Sequence, residues 1–363
     1  MNILVLQKNT GKAGAQNSLR RLLSSQAFRE QNVVVVTGTQ GWFLEQVKLL
    51  NLPYIAIDYP AVRSLYGRLI GNKMWINKVV DELNKMAFTP DILQCNNHFE
   101  APFLHGLKKH FQKAKTVAFI RDPDVRKTDY IKYQSGLCDL RIAVSQFMQD
   151  ALTWDRMALV FNNGVFENEI YPIAEKKSLF PARWLVLGNP SKRKGWADFF
   201  DALKLLTETS WLENVQEIVF TGVPEGNEFL EYKGLINQLK TRINLAFAPF
   251  YSNLGEACQQ FDLIVHPSRS ESFGMALLEA CCTGKCVVSS KTGVAEKLIS
   301  NENLLFEPCQ PQQIFDCLAY VLANWGNMPD DYKSFLAIVR ENFSTENNAA
   351  SIIQWYDSVL EQS

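Results

Sequence analysis

The sequence lacks any apolar stretch approaching the ~20 residues that a membrane-spanning helix needs. Its first residues, Met1–Leu6, contain a short apolar run without a basic leader, so they predict a first strand rather than a secretory signal. Internal repeats and low-complexity tracts are also missing, which argues against solenoid and disordered classes. We therefore expect a cytosolic chain, or one bound peripherally to a membrane.

The sequence also has no Cys-x-x-Cys pair, although it contains 8 cysteines. Without that spacing or a secretory signal, neither a zinc site nor a disulfide framework is indicated. We expect reduced, mostly buried thiols. His266 lies near four of the cysteines in sequence, but the spacing fits no metal-ligand pattern. The sequence therefore predicts no bound metal and no cofactor.

The composition is that of an ordinary globular protein, with 363 residues, 47% hydrophobic and 21% charged. This length suggests two domains. The formal net charge is −1, but the two halves of the chain differ in charge. Residues 1–165 contain 21 Lys and Arg and 13 Asp and Glu, whereas residues 166–363 contain 16 Lys and Arg and 25 Asp and Glu. A basic half attracts an anionic partner such as a lipid headgroup or a diphosphate, and unevenly placed surface charge is the alternative. Nucleic acid is disfavoured because no recognition motif is visible.

Short β-rich runs alternate with longer helical patterns along the whole chain. This alternation predicts parallel sheets wrapped by helices, and it restarts near residue 184, which indicates two doubly wound α/β domains. The predicted strands are 3–6, 33–37, 54–57, 91–95, 116–120 and 140–144, then 184–188, 218–222, 243–247, 263–265, 286–289 and 304–306.

Turn and linker chemistry separates the two halves near residues 166–180. We place the first domain at 1–165 and the second at 166–343. The last segment, 344–363, has apolar residues on one helical face, which must pack on another part of the protein. These residues are Ala349, Ile352, Tyr356 and Val359.

The richest candidate site lies at residues 263–280, where a buried strand, a polar loop and a helix start follow one another. In open α/β sheets, ligands bind beyond the carboxyl ends of the strands. The first turn of the helix favours a phosphate, and Gly274 allows a close backbone approach. Glu271 and Glu279 add two carboxylates that accept hydrogen bonds from hydroxyls. The combination suits a phosphorylated, polyhydroxylated ligand, and a simple helix cap is the alternative.

This stretch resembles the nucleotide-sugar-binding signature of the retaining glycosyltransferases of family 4 (glycosyl transferases group 1). The resemblance rests on Glu271 and Glu279 with seven residues between them, then Gly284–Val288 and Gly293–Glu296. Weaker similarities extend over the chain, including Asn163-Gly164-Val165 at the expected interdomain hinge. The resemblance implies a GT-B fold, with two Rossmann-like domains facing a cleft and the terminal helix crossing back to the N-terminal domain.

The resemblance also implies roles for individual residues. Glu271 would hold hydroxyls of the transferred sugar, and Glu279 would hold the nucleotide ribose. The diphosphate would be bound by Lys194 and by backbone amides of the helix start, at Ser272, Phe273 and Gly274. A positive charge at Lys194 would offset the negative charge that grows on the leaving group.

Three positions depart from the family pattern. Asn189 stands where the family has an Arg after the loop Gly, and Lys192 and Arg193 are candidates for the missing charge, with solvated surface groups as the alternative. Gly14 ends a Gly-x-x-Gly turn where the family has adjacent glycines, and its amide is a candidate for facing the donor. Arg121 occupies the position of a His that faces the reacting sugar. Arg121 stays protonated, so it would hold an anionic group rather than act as a base.

The sequence therefore predicts a retaining hexosyltransferase that uses a nucleotide diphosphate sugar and a glycan, lipid-linked or small-molecule acceptor. The alternatives are a GT-B nucleotide-sugar epimerase and a non-catalytic sugar-nucleotide-binding protein. Asp122-Pro123-Asp124 resembles a metal motif of the other glycosyltransferase fold. The alternation of strands and helices in two successive domains argues against that fold. A basic, aromatic segment at 62–78 is a candidate for peripheral membrane contact, and ordinary helix packing is the alternative.

Overall fold

The computed structural model describes residues 1–60, 71–172, 180–225 and 229–361. The chain divides into two compact units. The N-terminal unit consists of Met1–Gly164 and Thr345–Ser363, and the C-terminal unit consists of Val165–Ser344. The chain thus passes between the units twice, at Gly164–Val165 and at Ser344–Thr345.

The N-terminal unit is built on a sheet of seven parallel strands in the order β3-β2-β1-β4-β5-β6-β7. Its inner strands are buried on both faces, as expected for a parallel sheet covered by helices. The strands are β1 (Asn2–Gln7), β2 (Asn32–Thr37), β3 (Tyr54–Ala56), β4 (Ile92–Cys95), β5 (Lys115–Ile120), β6 (Leu140–Ala143) and β7 (Leu159–Val160).

Seven α-helices accompany these strands in the described part of the chain before residue 164. They are α1 (Gly14–Ser24), α2 (Gln26–Arg29), α3 (Trp42–Leu49), α4 (Asn72–Lys85), α5 (Ala101–Lys108), α6 (Lys127–Tyr133) and α7 (Gln146–Ala151). Ser25 and Ser145 begin α2 and α7 as side-chain caps, because each hydroxyl accepts a backbone N–H of the first turn. Trp75 of α4 packs against Phe103 of α5, at 4.7 Å between ring centroids.

The C-terminal unit is built on six parallel strands in the order β10-β9-β8-β11-β12-β13. The strands are β8 (Arg183–Val186), β9 (Glu217–Thr221), β10 (Asn244–Ala248), β11 (Leu263–His266), β12 (Cys286–Ser290) and β13 (Leu305–Phe306). The helices are α8 (Trp196–Thr207), α9 (Lys233–Lys240), α10 (Leu254–Cys258), α11 (Met275–Cys281), α12 (Ala295–Leu298), α13 (Pro311–Asn324) and α14 (Pro329–Asn342).

A group of buried aromatic rings joins α8 to the sheet of the C-terminal unit. Phe220 of β9 contacts Trp196 and Phe200 of α8, with ring centroids 4.9 Å and 5.0 Å apart. All three side chains are fully buried. Burial of such large apolar surfaces anchors the first residues of α8, and therefore the loop that precedes it, to the sheet.

These observations confirm the prediction of two doubly wound parallel-sheet α/β units. Every predicted strand is present, with ends that differ by at most two residues. The prediction missed β7, whose two residues are too short to form a recognisable pattern. In each sheet the strand order reverses once, between β1 and β4 and between β8 and β11, and such reversals open a crevice at the carboxyl ends of the strands.

The last helix, α15 (Thr345–Glu361), belongs to the N-terminal unit, where it contacts α1 and α2. Three of its predicted apolar contact residues, Ala349, Ile352 and Tyr356, are buried there. The Tyr356 hydroxyl donates a hydrogen bond of 2.9 Å to the side-chain oxygen of Gln94 on β4. The helix is therefore held by both apolar burial and a buried polar contact with the central sheet.

We predict that Tyr356→Phe lowers the stability of the N-terminal unit by about 1–3 kcal/mol, because the buried Gln94 oxygen loses its donor. Tyr356→Ala also removes the ring and should cost about 3–5 kcal/mol. Urea unfolding with a probe in the N-terminal unit measures both changes. The matched control is Asp357→Asn at the next, exposed position, and equal stability of all four proteins would contradict the assignment.

Candidate functional site

Two loops meet at the strand-order reversal of the C-terminal unit. One follows β8 and contains a short 3-10 turn, Lys192–Lys194, and the other follows β11 and leads to α11. Gly195 brings them into contact, because its φ is +68° and a β-carbon there would lie 1.8 Å from the carbonyl oxygen of Pro267. Only glycine permits this approach of the two backbones.

The approach of the two loops places Lys194 against Glu271. The Nζ atom of Lys194 lies 2.5 Å from Oε1 of Glu271, and Nη1 of Arg193 lies 3.6 Å from Oε2. The Lys194 and Glu271 side chains are 16% and 10% exposed, whereas that of Arg193 is 41% exposed. Lys194 and Glu271 thus form a largely desolvated ion pair, with Arg193 at its solvent side.

His266, the last residue of β11, lies beneath this pair. Its Nε2 atom is 3.4 Å from Oε1 of Glu271, and its Nδ1 atom is 3.0 Å from the hydroxyl of Ser289 on β12. The side chain is 1% exposed. Burial lowers the pKa of His266, and the neighbouring Glu271 carboxylate opposes that effect. His266 therefore helps to hold Glu271, a role that its position among cysteines in the sequence did not indicate.

Glu271 is held in its ionised form. Burial alone would raise the pKa of this carboxyl, but the Lys194 ammonium and the His266 contact outweigh burial and hold the pKa well below its usual range. A carboxylate that stays ionised is a pure hydrogen-bond acceptor. It can accept hydrogen bonds from sugar hydroxyls throughout the physiological pH range.

The α11 segment presents the other predicted residues of the site. Gly274 caps the helix with a φ of +93°, and Phe273 is buried against Phe343. The Phe273 carbonyl accepts a hydrogen bond of 2.9 Å from the amide of Val294, so the backbone at the start of α11 is fixed from a neighbouring loop. Ser272 and Glu279 are both partly exposed, in the loop before α11 and in its second turn respectively.

A second ion pair fixes the loop from the opposite side. The Arg269 guanidinium donates two hydrogen bonds of 2.7 Å to the Asp198 carboxylate of α8, and the Arg269 amide donates one of 2.7 Å to the Arg193 carbonyl. Paired, bidentate geometry of this kind is the strong form of the Arg–carboxylate interaction. This pair could not be predicted from the sequence, because its partners lie 71 residues apart.

The N-terminal unit contributes Gly14 and Arg121 to the predicted set. Gly14 is exposed and is the first residue of α1. Arg121 directly follows β5 and is only 8% exposed, with Nη1 hydrogen bonded to the side-chain oxygen of Asn163 at 2.8 Å and to the Ser18 hydroxyl at 3.3 Å. Arg121 is therefore directed into the interior of its own unit.

A second polar group lies at the carboxyl end of β4. Glu100 is 1% exposed, and one of its oxygens accepts a hydrogen bond of 2.8 Å from the amide of Lys8 after β1. Burial raises the pKa of Glu100 to about 8. His98, whose pKa burial lowers, packs among Phe99, Tyr130 and Tyr133.

Within the described residues, no group of three or more His, Cys, Asp or Glu side chains is placed to hold a metal ion. Asp122 and Asp124 form a local turn, in which the Asp122 carboxylate accepts a hydrogen bond from the Asp124 amide. All eight cysteines are free thiols, and all except Cys309 are buried.

The basic, aromatic segment predicted at 62–78 lies partly outside the described residues, because its first part falls in 61–70. Its remainder begins α4, where Trp75 is buried and Met74 is exposed. No helix in the described ranges combines the length and apolar character that crossing a membrane requires.

Two doubly wound parallel-sheet α/β units of this kind form the GT-B fold. Residues 171–335 match the family model described as Glycosyl transferases group 1. This match confirms the resemblance to glycosyl transferases group 1 over the C-terminal part of the chain.

Solved structures show the same fold over the full chain. The Anabaena protein HepE in complex with UDP superposes with a TM-score of 0.80 at 19% identity and covers 99% of this chain and 100% of that chain. A glycosyltransferase from Rickettsia africae superposes with a TM-score of 0.80 at 16% identity and covers 100% of this chain and 99% of that chain.

Among curated proteins, the O-antigen biosynthesis glycosyltransferase WclY of Escherichia coli is 24% identical over 174 residues. This alignment covers 48% of this chain and 46% of the relative. The chain thus matches less than half of the length of that relative.

We predict that Gly195→Ala separates the two loops of the C-terminal unit, because the new β-carbon would overlap the Pro267 carbonyl. The expected result is a lower melting temperature, because the overlap forces the two backbones apart and loosens the Lys194–Glu271 contact. Gly234→Ala, at a glycine in α9 whose β-carbon would meet nothing within 4 Å, is the control. An unchanged melting temperature of Gly195→Ala would refute the proposed contact.

We also predict that Glu100 makes the N-terminal unit less stable as the pH rises from about 4.5 to about 8. In this window the unfolded chain has released the proton, whereas the folded chain still binds it, so folding becomes less favourable with each pH step. The measurement is the melting temperature as a function of pH from pH 5 to pH 8. In Glu100→Gln the melting temperature should depend less on pH, and an unchanged pH dependence in that variant would contradict the assignment.

Proposed function

We propose that the protein is a retaining glycosyltransferase that transfers a hexose-type sugar from a nucleotide diphosphate sugar to a glycan or lipid-linked acceptor. The observation that carries this proposal is the desolvated Lys194–Glu271 pair at the switch point of the C-terminal unit. A cation and a carboxylate in contact there provide one group for a diphosphate and one for sugar hydroxyls. The match of residues 171–335 to Glycosyl transferases group 1 supports the same conclusion.

The diphosphate is assigned to Lys194 and to the backbone at the start of α11. The Lys194 side chain is 16% exposed, so the interaction of its ammonium with a phosphate is less screened than at an open surface. The Phe273 and Gly274 amides precede the helix and supply further donors, and Ser272 adds a hydroxyl. Arg193, at the solvent side of the pair, supplies the second cation where Asn189 replaces the Arg of the family pattern.

The transferred sugar is assigned to Glu271, and the ribose to Glu279. Because Glu271 remains ionised, it accepts hydrogen bonds from two hydroxyls without itself taking up a proton. His266 and Lys194 fix the position of the carboxylate from two sides. This arrangement orients the sugar relative to the phosphate, which is the positional control that transfer requires.

In the absence of donor, Lys194 and Glu271 neutralise each other. A diphosphate brings additional negative charge to Lys194, while sugar hydroxyls replace part of the hydrogen bonding at Glu271. Donor binding therefore exchanges a direct ion pair for a ligand-bridged arrangement. The diphosphate carries more negative charge than Lys194 alone offsets, so Arg193 and the backbone amides at the start of α11 share in its compensation.

The reaction assigned to this site is a substitution at the anomeric carbon. The bond from that carbon to the diphosphate oxygen breaks, and a bond to the acceptor oxygen forms on the same face. The acceptor proton passes to the leaving diphosphate, and Lys194 offsets the charge that develops there. This scheme requires no side-chain base and is compatible with Arg121, which stays protonated.

The relatives support the class of donor and of acceptor. Solved structures of HepE contain UDP, or UDP and glucose, and WclY is described by its role in O-antigen biosynthesis. For this chain, the basic first half is consistent with an acceptor on an anionic membrane surface. A peripheral location at the membrane follows from that acceptor class.

A non-catalytic sugar-nucleotide-binding protein is the second candidate, favoured by Asn189 and Arg121 at two positions where the family pattern has other residues. Such a protein would bind a donor without consuming it. An epimerase would consume the donor without an acceptor. A thermal-shift panel of nucleotide sugars first identifies the donor, because a ligand that binds only the native state raises the melting temperature.

We predict that Glu271→Gln and Lys194→Ala each lower sugar transfer at least 100-fold while the fold is retained, because each removes a charged hydrogen bond at the reacting sugar or leaving group. The measurement is release of nucleoside diphosphate with the identified donor and a membrane-lipid or glycan extract as acceptor. Lys192→Ala is the matched control, because this side chain is exposed in the same turn.

The outcomes separate the candidates. Transfer by the wild type that both substitutions abolish supports the proposal. Donor turnover without acceptor identifies an epimerase or hydrolase, and saturable donor binding with no turnover identifies the non-catalytic protein. Full transfer activity of Glu271→Gln would show that Glu271 does not have the role assigned to it.

A further inference from the structure

A polar pocket lies inside the N-terminal unit, next to the two places where the chain leaves and re-enters it. The empty space is about 310 Å³, including the mouth that opens to solvent. Its walls come from the end of β5, the segment before Gly164, the middle of α1 and the first turns of α15. The lining includes the polar residues Ser18, Arg121, Asn162, Asn163, Thr345 and Asn348.

Arg121 is a buried cation without a counterion. No Asp or Glu of the described residues forms an ion pair with it, and its contacts are with Asn163, Ser18 and the face of the Phe119 ring, 4.9 Å from the guanidinium carbon. Burial lowers the pKa of Arg121 to about 9, and no nearby carboxylate opposes the effect. The guanidinium nevertheless remains charged at neutral pH.

Several polar atoms that line the pocket have no hydrogen-bond partner within the described part of the chain. Two of them, Nε of Arg121 and Nδ2 of Asn348, are donors, and the Thr345 hydroxyl can donate as well. The fourth unpartnered atom, Oδ1 of Asn162, is a hydrogen-bond acceptor. Arg121 and Thr345 are 8% and 4% exposed, so solvent does not readily satisfy them.

A buried positive charge with free donors around it favours an anion. A single water molecule could satisfy the hydrogen bonds, but it would leave the charge uncompensated, and an unpaired buried charge is strongly unfavourable. A carboxylate or a phosphate satisfies both requirements, because its oxygens accept from the guanidinium fork and from the Asn348 and Thr345 side chains.

We propose that this pocket binds a single oxyanion group, that is, a carboxylate or a phosphate, through the donors of Arg121, Thr345 and Asn348. The pocket is built entirely from residues of the N-terminal unit and shares no residue with the Lys194–Glu271 pair. The inference therefore does not depend on the transferase activity. An acidic sugar or a phosphorylated molecule would present such a group, and a free anion would present the same chemistry.

The test is titration of the protein with anions, and binding is measured by the melting temperature and by isothermal titration calorimetry. Phosphate, acetate and glucuronate are compared with chloride at constant ionic strength. We expect a saturable rise in melting temperature with at least one oxyanion and at least tenfold weaker binding by Arg121→Lys, which lacks the planar fork. Arg121→Met should abolish the effect.

Two controls isolate the pocket. Arg126→Gln removes a neighbouring, exposed arginine and should bind as the wild type does. Lys194→Ala impairs the phosphate site of the C-terminal unit, so the Arg121-dependent shift should persist in it. If Arg121→Met does not fold, the comparison of Arg121→Lys with the wild type shows whether anion binding depends on the Arg121 side chain.

The anions also distinguish the source of the group. Saturation by phosphate and acetate identifies a site for free anions or for any terminal oxyanion, whereas saturation by glucuronate alone identifies an acidic sugar. The proposal is overturned if no oxyanion gives a saturable shift, or if the shift is the same in the Arg121 variants as in the wild type.

Discussion

The contact between Gly195 and Pro267 is the constraint on which the candidate site depends. Two loops from neighbouring strands can meet there only because one residue has no side chain, and the meeting places Lys194 against Glu271. The ion pair in turn neutralises two groups that burial would otherwise disfavour. The Arg269–Asp198 pair and the buried rings of α8 keep both loops in this position.

Most of the fold could be predicted from the sequence because the information is local. Each strand is a short β-rich run whose inner residues are buried on both faces, and the run from β11 to α11 contains both the strand end and the glycine cap. The short β7 escaped prediction because two residues do not form a pattern. The predicted start of α11, at 272–274, lies within three residues of the observed first residue, Met275.

The candidate site could be predicted only in part, because the residue types are local and their contacts are not. Lys194 and Glu271 were identified by resemblance to a family pattern and Arg193 as a candidate for the charge missing at Asn189, and the structure brings these three together. Their roles toward a ligand stay predictions. The support from His266 and from the Arg269–Asp198 pair depends on residues up to 71 positions apart, which no spacing rule connects.

The way in which α15 completes the N-terminal unit has a consequence for how the protein is made. Residues 165–344 form a contiguous segment, whereas the N-terminal unit needs a helix that is synthesised after that segment. On the ribosome, the second unit can therefore acquire its complete core while the first still exposes the apolar surface that Ala349, Ile352 and Tyr356 will cover. The nascent N-terminal half must remain soluble during that interval, and this is a stage at which transiently exposed surface favours aggregation or chaperone binding.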